Sequence, residues 1–412
     1  MRALRHEPAF VLLCAGQALS TIGSGVLFLA ILLAVYDRTG SGVATSLVFL
    51  AETAPLALLS LWAGALADRV DRRRLVLGAD VVRAALLLPL LLPDPVGHLG
   101  LLCAVLAAQA SVDAVFRPAF AGLLPQTVPR DLLPSANAVW ATAGGLAGVV
   151  APLLGGALYA VGGLRLVVLV DMSSFLVAAV LVALVRNMRP PKTGDIPAQP
   201  TTRSAVAIVR STPALRRFFL AATAFAVANA VLFPVLVPFL RGTLQASAAE
   251  VGLLFAVLSA AGLLTAPVSG PLMQRFGPRV VYRAGAAGTT VGLLLLGLSP
   301  DIDTATIAVV FIGMPSVCFG VAQTTLLQQA VPDSQLGRIF GVLATLMALV
   351  KLVAAVLPLA LLSLLGTRGT LLSAVVACAL GTVVVIRERP EQGTAAVAQQ
   401  RRRAVRHAIA RR

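Results

Sequence analysis

GALADRVDRRR, Gly64 to Arg74, decides how the rest of this chain is read. It lies where one long apolar segment ends and the next begins, with no polar sequence on either side of its Asp and Arg cluster. Charges so placed read as a very short loop between two membrane helices. Gly64 to Ala67 are small enough to let a neighbouring helix come close, and Asp68 is placed to cap or pair across the junction. The arginines behind it, Arg69 and Arg73 among them, suit lipid headgroups on the cytoplasmic side.

The surrounding composition agrees. The chain has 412 residues, 58% hydrophobic and 12% charged, with a mean hydropathy of +0.92, outside the range of soluble globular domains. A hydrocarbon core of about 30 Å takes about 20 apolar residues per helix. Twelve such runs are present, near 9–36, 44–67, 75–92, 98–117, 137–160, 164–186, 217–240, 249–273, 283–299, 303–327, 339–365 and 370–386. The expected fold is therefore all-α and integral to the membrane.

A net charge of +16 in a soluble protein would suggest nucleic acid, so the placement of the basic residues has to decide. With the N-terminus inside, only Arg38, Arg165, Arg241 and Arg368 fall in outer loops. Nearly all the others fall in inner loops and tails, as the positive-inside rule requires for twelve spans with both ends cytoplasmic. The expected partner of these charges is a bilayer with anionic headgroups and not nucleic acid, and the tail RRRAVRHAIARR reads as a solvated topogenic segment. Arg2 and Arg5 precede an apolar run that continues to Tyr36 without a convincing cleavage site, so it reads as an uncleaved first helix. Cys14, Cys103, Cys318 and Cys378 lie inside spans without ligand spacing and read as small core residues.

The chain also repeats itself. GALADRVDRR at Gly64 recurs as GPLMQRFGPR at Gly270, and LLPQTVP at Leu123 recurs as LLQQAVP at Leu326, displaced by 206 and 203 residues. A six-helix unit was duplicated. The expected division is an N-terminal half over 1–185, a cytoplasmic linker over 186–216, a C-terminal half over 217–386 and a basic tail over 387–412. Two parallel halves are the organisation of a transporter that rocks around a midplane site.

These motifs resemble those of the major facilitator superfamily, and the likeness covers about residues 9 to 386. The Gly64 loop matches the family's loop after the second helix, with Asp71 in place of the usual Gly. GGLAGVVAPLLGG, Gly144 to Gly156, resembles the antiporter motif of drug exporters, with Ala151 where GP is usual. FRPAFAGLLPQTVPRDLLPSANA, Phe116 to Ala138, is similar to the loop between helices four and five of macrolide and siderophore exporters. The resemblance implies a twelve-helix fold, a drug:proton antiporter and a conformational latch formed by Gly64, Asp68, Arg69, Arg73 and Arg117. It also places Gln17, Phe28, Asn229, Phe233, Phe319 and Gln323 on cavity-lining helices. Bonding of the polar ones to a neighbouring helix is an equal reading.

The fifth span has a physical reading of its own. Gly144, Gly148, Gly155 and Gly156 make a face without side chains for tight helix contact, and Pro152 removes a backbone hydrogen bond. Such a face serves ordinary packing or lets two halves slide.

Charges within the spans are functional candidates because hydrocarbon makes them costly. Asp80 with Arg83, and Asp113 with Arg117, have the spacings of intrahelical pairs; Arg117 reaching Asp68 is the alternative. Glu52 lies roughly 12 Å deep and Lys351 roughly 18 Å deep at 1.5 Å per residue, each without a local counter-charge. A state-dependent pair between them, closing the outer side, is one expectation. A Glu52 bonded within its own half beside a Lys351 in cavity water is the other. Asp171 reads as a hydrogen-bonded structural group sooner than a proton carrier.

No GxxxxGK[ST] loop and no HExxH motif occurs, and His6, His98 and His407 lie in tails or a loop. The expectation is a non-enzymatic, cofactor-free, monomeric carrier in the cytoplasmic membrane, exporting a small apolar or amphipathic compound against protons. Against proton coupling stand the absence of a mid-membrane Arg in the fourth span and Ser24 where exporters often carry an acid. The alternatives are an importer of an anionic metabolite, favoured by Lys351 facing the cavity, and a non-transporting receptor or scaffold.

Overall fold

A computed structural model describes residues 3–67, 70–185, 209, 213–331 and 333–387. The apolar runs fold into eleven α-helices: α1 (Pro8–Thr39), α2 (Gly42–Ala67), α3 (Arg72–Leu86), α4 (Leu99–Leu123), α5 (Leu133–Leu184), α6 (Pro213–Pro238), α7 (Ala248–Phe276), α8 (Pro278–Leu298), α9 (Ile302–Ala330), α10 (Asp333–Ala354) and α11 (Leu357–Ile386). Helices satisfy their own backbone groups, which hydrocarbon demands. Among the described residues, nine helices are long and apolar enough to cross a membrane.

Two helices contain a reversal. α5 is interrupted at Gly163 (φ 62°, ψ −168°) and α11 at Gly366 (φ 66°, ψ −175°), a backbone region essentially reserved for glycine. In α5 the chain turns back on itself there. Gly155 lies against Val26 and Leu29 of α1, while Gly23 and Gly16 lie against Ser174 and Ala178 in turn, so 133–162 runs parallel to α1 and 164–184 antiparallel. The two glycines are 203 residues apart, the displacement of the sequence repeat.

Elsewhere the boundaries move. α4 continues past residue 117 through Pro118 to Leu123, so most of the expected loop to Ala138 is helix and two short 3-10 turns, Leu124–Gln126 and Arg130–Leu132. A proline forfeits one backbone hydrogen bond, and here the helix continues through it. The expected span 339–365 breaks after Ala354 instead, because the Pro358 ring crowds the carbonyl four residues before it. The repeated loop also turns differently in the two halves. Gly277 takes φ +84°, whereas Asp71, its counterpart, takes φ −56° and caps α3 by accepting the Arg74 amide at 2.9 Å.

Three apolar cores locate the opening. The largest joins both halves, taking Val26 to Val35 of α1 and Val231 to Leu240 of α6 and the turn after it. At the opposite end, where the described chain begins and ends, the cores separate. One holds only N-half residues such as Phe10, Val76, Leu123 and Val182, the other C-half residues such as Phe218, Leu327 and Ile339 together with Val209 and Leu215 of the expected linker. The halves are packed together at one end and splayed at the other. Large apolar side chains such as Leu264 (73% exposed) and Leu364 (77% exposed) point outward, as lipid contact requires.

Candidate functional site

The sealed end is held by backbone contact and by charge. α5 packs across the halves on α7. An added Cβ on Gly156 would lie 3.1 Å from the Gly252 Cα and against the Ala248 carbonyl, and one on Gly252 would lie 2.5 Å from the Pro152 carbonyl oxygen. Beside this contact Arg241, in the π-turn Phe239–Thr243 after α6, donates to Asp37 at the end of α1 from Nε at 2.8 Å and Nη2 at 2.5 Å. Tyr159 donates to the other Asp37 oxygen at 3.1 Å, and Arg241 also donates to the Ala246 carbonyl at 2.6 Å. The pair is about a quarter exposed on each side, so its worth is of order 1 kcal/mol. Asp37→Ala is therefore expected to open this end only several-fold more often. Distances between spin labels at Ser41 and Gln245 measure it; an unchanged distribution would remove the bridge from the seal.

Between the halves lies a cavity of about 530 Å³. Gly145 and Gly148 of α5 form one side. α6 contributes Phe225, Asn229 and Phe233, α7 Ser259, α8 Thr289, α9 Ser316 and Phe319, and α11 Cys378. No described lining residue is Asp, Glu, Lys, Arg or His. Phe225 stacks on Phe319 with centroids 4.1 Å apart, Phe319 on Tyr282 at 4.9 Å, and Tyr282 on Phe218 at 6.2 Å. Helical spacing places these rings in one column within the C-half.

The intramembrane charges gather in the other half. Gln17 of α1 donates to Asp80 at 2.7 Å, Asp80 pairs with Arg83 at 3.5 Å, Arg83 pairs with Asp113 of α4, and Asp113 faces Arg117 at 3.7 Å. The Arg83 guanidinium lies 4.0 Å above the Phe116 ring, and its backbone carbonyl accepts from Gln109 at 3.0 Å. Both intrahelical pairs expected from spacing form, and Arg83 joins them. Glu52 lies beside Asp113 and Arg117, with one carboxylate oxygen buried and without a hydrogen-bond partner among the described residues.

The family model of the major facilitator superfamily matches residues 13–233 and 218–411. The chain belongs to this superfamily. It is a multi-pass membrane transporter. It is similar to macrolide efflux protein A of Streptococcus pyogenes, 26% identical over 366 residues that cover 82% of this chain and 86% of that one. It is likewise similar to the enterobactin exporter of Citrobacter koseri, 27% identical over 347 residues, 82% of this chain and 81% of that one. Its fold matches that of a bacterial homologue of the iron transporter ferroportin in its inward-facing state, with a TM-score of 0.72, 17% identity and coverage of 92% and 98% of the two chains.

Within this superfamily fold the expected site residues separate. Asn229, Phe233 and Phe319 line the cavity. Gln17 does not: it is 1% exposed and committed to Asp80. Phe28 packs on Phe49 at 6.0 Å, and the Gln323 amide nitrogen is buried outside the lining without a described partner. Asp171 is buried, its carboxylate 3.3 Å from the Ser174 hydroxyl and close to Gly23 of α1.

Glu52 and Lys351 do not pair among the described residues. Lys351 is exposed on α10, the charges near Glu52 belong to α4 of its own half, and the ion pair across the sealed end is Asp37 with Arg241.

Asp68 and Arg69 lie outside the described residues, as do side-chain contacts near Gly64. The remaining latch residues act inside the N-half. Arg73 donates to the Val182 and Ala183 carbonyls at 3.2 and 2.6 Å, closing the C-terminal end of α5. Arg117 is 63% exposed beside Asp113. Gly155 and Gly156 make backbone-close contacts, Gly148 borders the cavity opposite Ser259, and Gly144 has nothing within 4 Å of an added Cβ.

The sequence reading missed Asp37, Gly252, Ser259, Thr289 and Ser316. Asp37 and Arg241 stand 204 residues apart, within the range of the repeat. Opposite charges at corresponding ends of the two halves were a signal for the bridge.

Proposed function

We propose that the chain is a twelve-span secondary transporter of the cytoplasmic membrane. Both ends are cytoplasmic, and it exports a small apolar or amphipathic compound by alternating access, exchanging it for protons as a monomer. The observation that carries this reading is the separation of the cores, with one shared core at the sealed end and two at the other and an apolar cavity between the halves. Counting α5 and α11 as two segments each, with 357–365 completing the span begun by α10, supports twelve crossings. The exporter relatives support the direction. Against the importer alternative stands the cavity lining, in which no described residue is cationic.

Transport by inside-out vesicles, with and without an imposed pH gradient, tests the reading. Energy-dependent accumulation is expected there, and uptake confined to right-side-out vesicles would overturn it. Glu52 is the proposed proton-carrying group. Glu52→Gln should abolish pH-driven export while leaving downhill exchange within a few-fold of normal. Full pH-driven export in that variant would transfer the role to Asp113 or Asp171. Asp68→Asn should slow turnover with affinity nearly unchanged, since a latch acts on the balance of states and not on the substrate. Loss of binding with an unaltered balance would exclude the latch role.

A further inference from the structure

Two of the three hydroxyls in the described cavity wall, those of Ser316 and Thr289 but not that of Ser259, have their donors spent inside it. Ser316 donates its hydroxyl to the Gly313 carbonyl at 3.0 Å, and Thr289 donates to the Gly285 carbonyl at 2.8 Å. Each hydroxyl has only its acceptor lone pairs left for a ligand. Asn229 donates one amide hydrogen to the Phe225 carbonyl at 2.9 Å, leaving its side-chain carbonyl to accept and its second N–H to donate. Three elements thus carry acceptors not used within the wall. None of the described lining residues is ionisable as a carboxylate, amine, guanidinium or imidazole, and the Arg83 to Asp113 chain is satisfied within the other half. Phe225 forms the end of a stacked column, with Phe319 behind it between Phe225 and Tyr282.

A charged ligand here would lose its hydration without gaining a counter-charge. A purely apolar ligand would strand the acceptors dry, and an extended aliphatic one would waste the stacked face. From these unused acceptors, and resting on the transporter reading above, we infer that the cavity takes an uncharged planar ring system that brings its own hydrogen-bond donors. A neutral polycyclic phenol is the simplest member of that class. Phe225, the terminal ring of the column, supplies the stacking surface, Ser316, Thr289 and Asn229 receive the donors, and Gly145 and Gly148 keep the facing side flat.

The test uses the purified full-length protein and four fluorescent probes that share one ring system: 1-hydroxypyrene, 1-methoxypyrene, pyrene-1-sulfonate and a pyrenylmethyl trimethylammonium salt. Binding in detergent micelles is corrected for partition into empty micelles. The hydroxyl compound is expected to bind about tenfold more tightly than its methyl ether, and both charged probes more weakly still. Phe225→Leu should weaken hydroxypyrene several-fold. Ser316→Ala, a smaller change, should narrow the gap between hydroxyl and ether without weakening the ether. A charged probe that binds as tightly as hydroxypyrene, an ether that equals it, or no binding of any probe would overturn the assignment. The transporter reading fails separately. Vesicle transport of a charged probe keeps that reading and removes this one. Hydroxypyrene binding in a protein that moves no compound across vesicles does the reverse.

Discussion

Gly156→Leu is expected to abolish transport and to empty the state with this end sealed. The added side chain would start against the Ala248 carbonyl and the Gly252 Cα at 3.1 Å, and backbone cannot move aside as a flexible side chain does. Overpacking typically costs about 1–3 kcal/mol, a shift of roughly 5- to 150-fold in the balance between states, and leucine at a backbone contact belongs at the upper end. Gly252→Leu should act alike from the other half. Gly144→Leu is the control from the same motif, because nothing lies within 4 Å of its added Cβ; it should keep most activity. The measurements are vesicle transport and label distances across the sealed end. Equal loss in the Gly144 and Gly156 variants would show that the motif serves general helix packing and not closure.

Arg83→Met should cost the most stability of any single change proposed here. Arg83 is 4% exposed and Asp80 fully buried, so removing the cation strands a carboxylate. Breaking one side of a buried pair costs about 3–5 kcal/mol, and hydrocarbon surroundings add no relief. Asp113 shares the cation but is 37% exposed, so water recovers part of its loss. Thermal unfolding of the purified protein should show a large drop in melting temperature. Pairing Arg83→Met with Asp80→Asn should recover a substantial part of it, since the amide still accepts from Gln17 without needing a counter-charge. A double variant no more stable than the single one would mean that Arg83 acts through Phe116 packing and not through charge.

What the sequence disclosed follows from how far each interaction reaches along the chain. Hydropathy places helices because burial of the backbone in hydrocarbon is decided segment by segment. The reversal at Gly163 falls in the gap read between 160 and 164. The break after Ala354 was legible in principle from Pro358 but lay inside an unbroken apolar run. Spacing of three or four residues revealed Asp80 with Arg83 and Asp113 with Arg117. The contact that fuses them, Arg83 with Asp113, depends on how α3 meets α4, which no local spacing encodes. Gln17 shows the same limit from the other side: its helix was read as cavity-lining, yet the face it occupies turns into the N-half. Ser316 and Thr289 escaped notice because hydroxyls in membrane helices commonly bond to their own preceding turn, and only the surrounding helices show that they line a cavity.

Gly163 and Gly366 also limit how the sealed face is reached by large molecules. Each joins two antiparallel segments through a single residue, so neither joint has slack to be lengthened, cut or gripped. An epitope inserted at either would have to displace helices, whereas the 92–98 segment, with Leu92, Pro93 and Asp94 exposed, is the longest link at that end among the described residues and the place to put a tag. To an antibody or a protease the face is a cobble of helix tips with one handle. Agents meant to block the carrier from that side have to be small, or bind that handle.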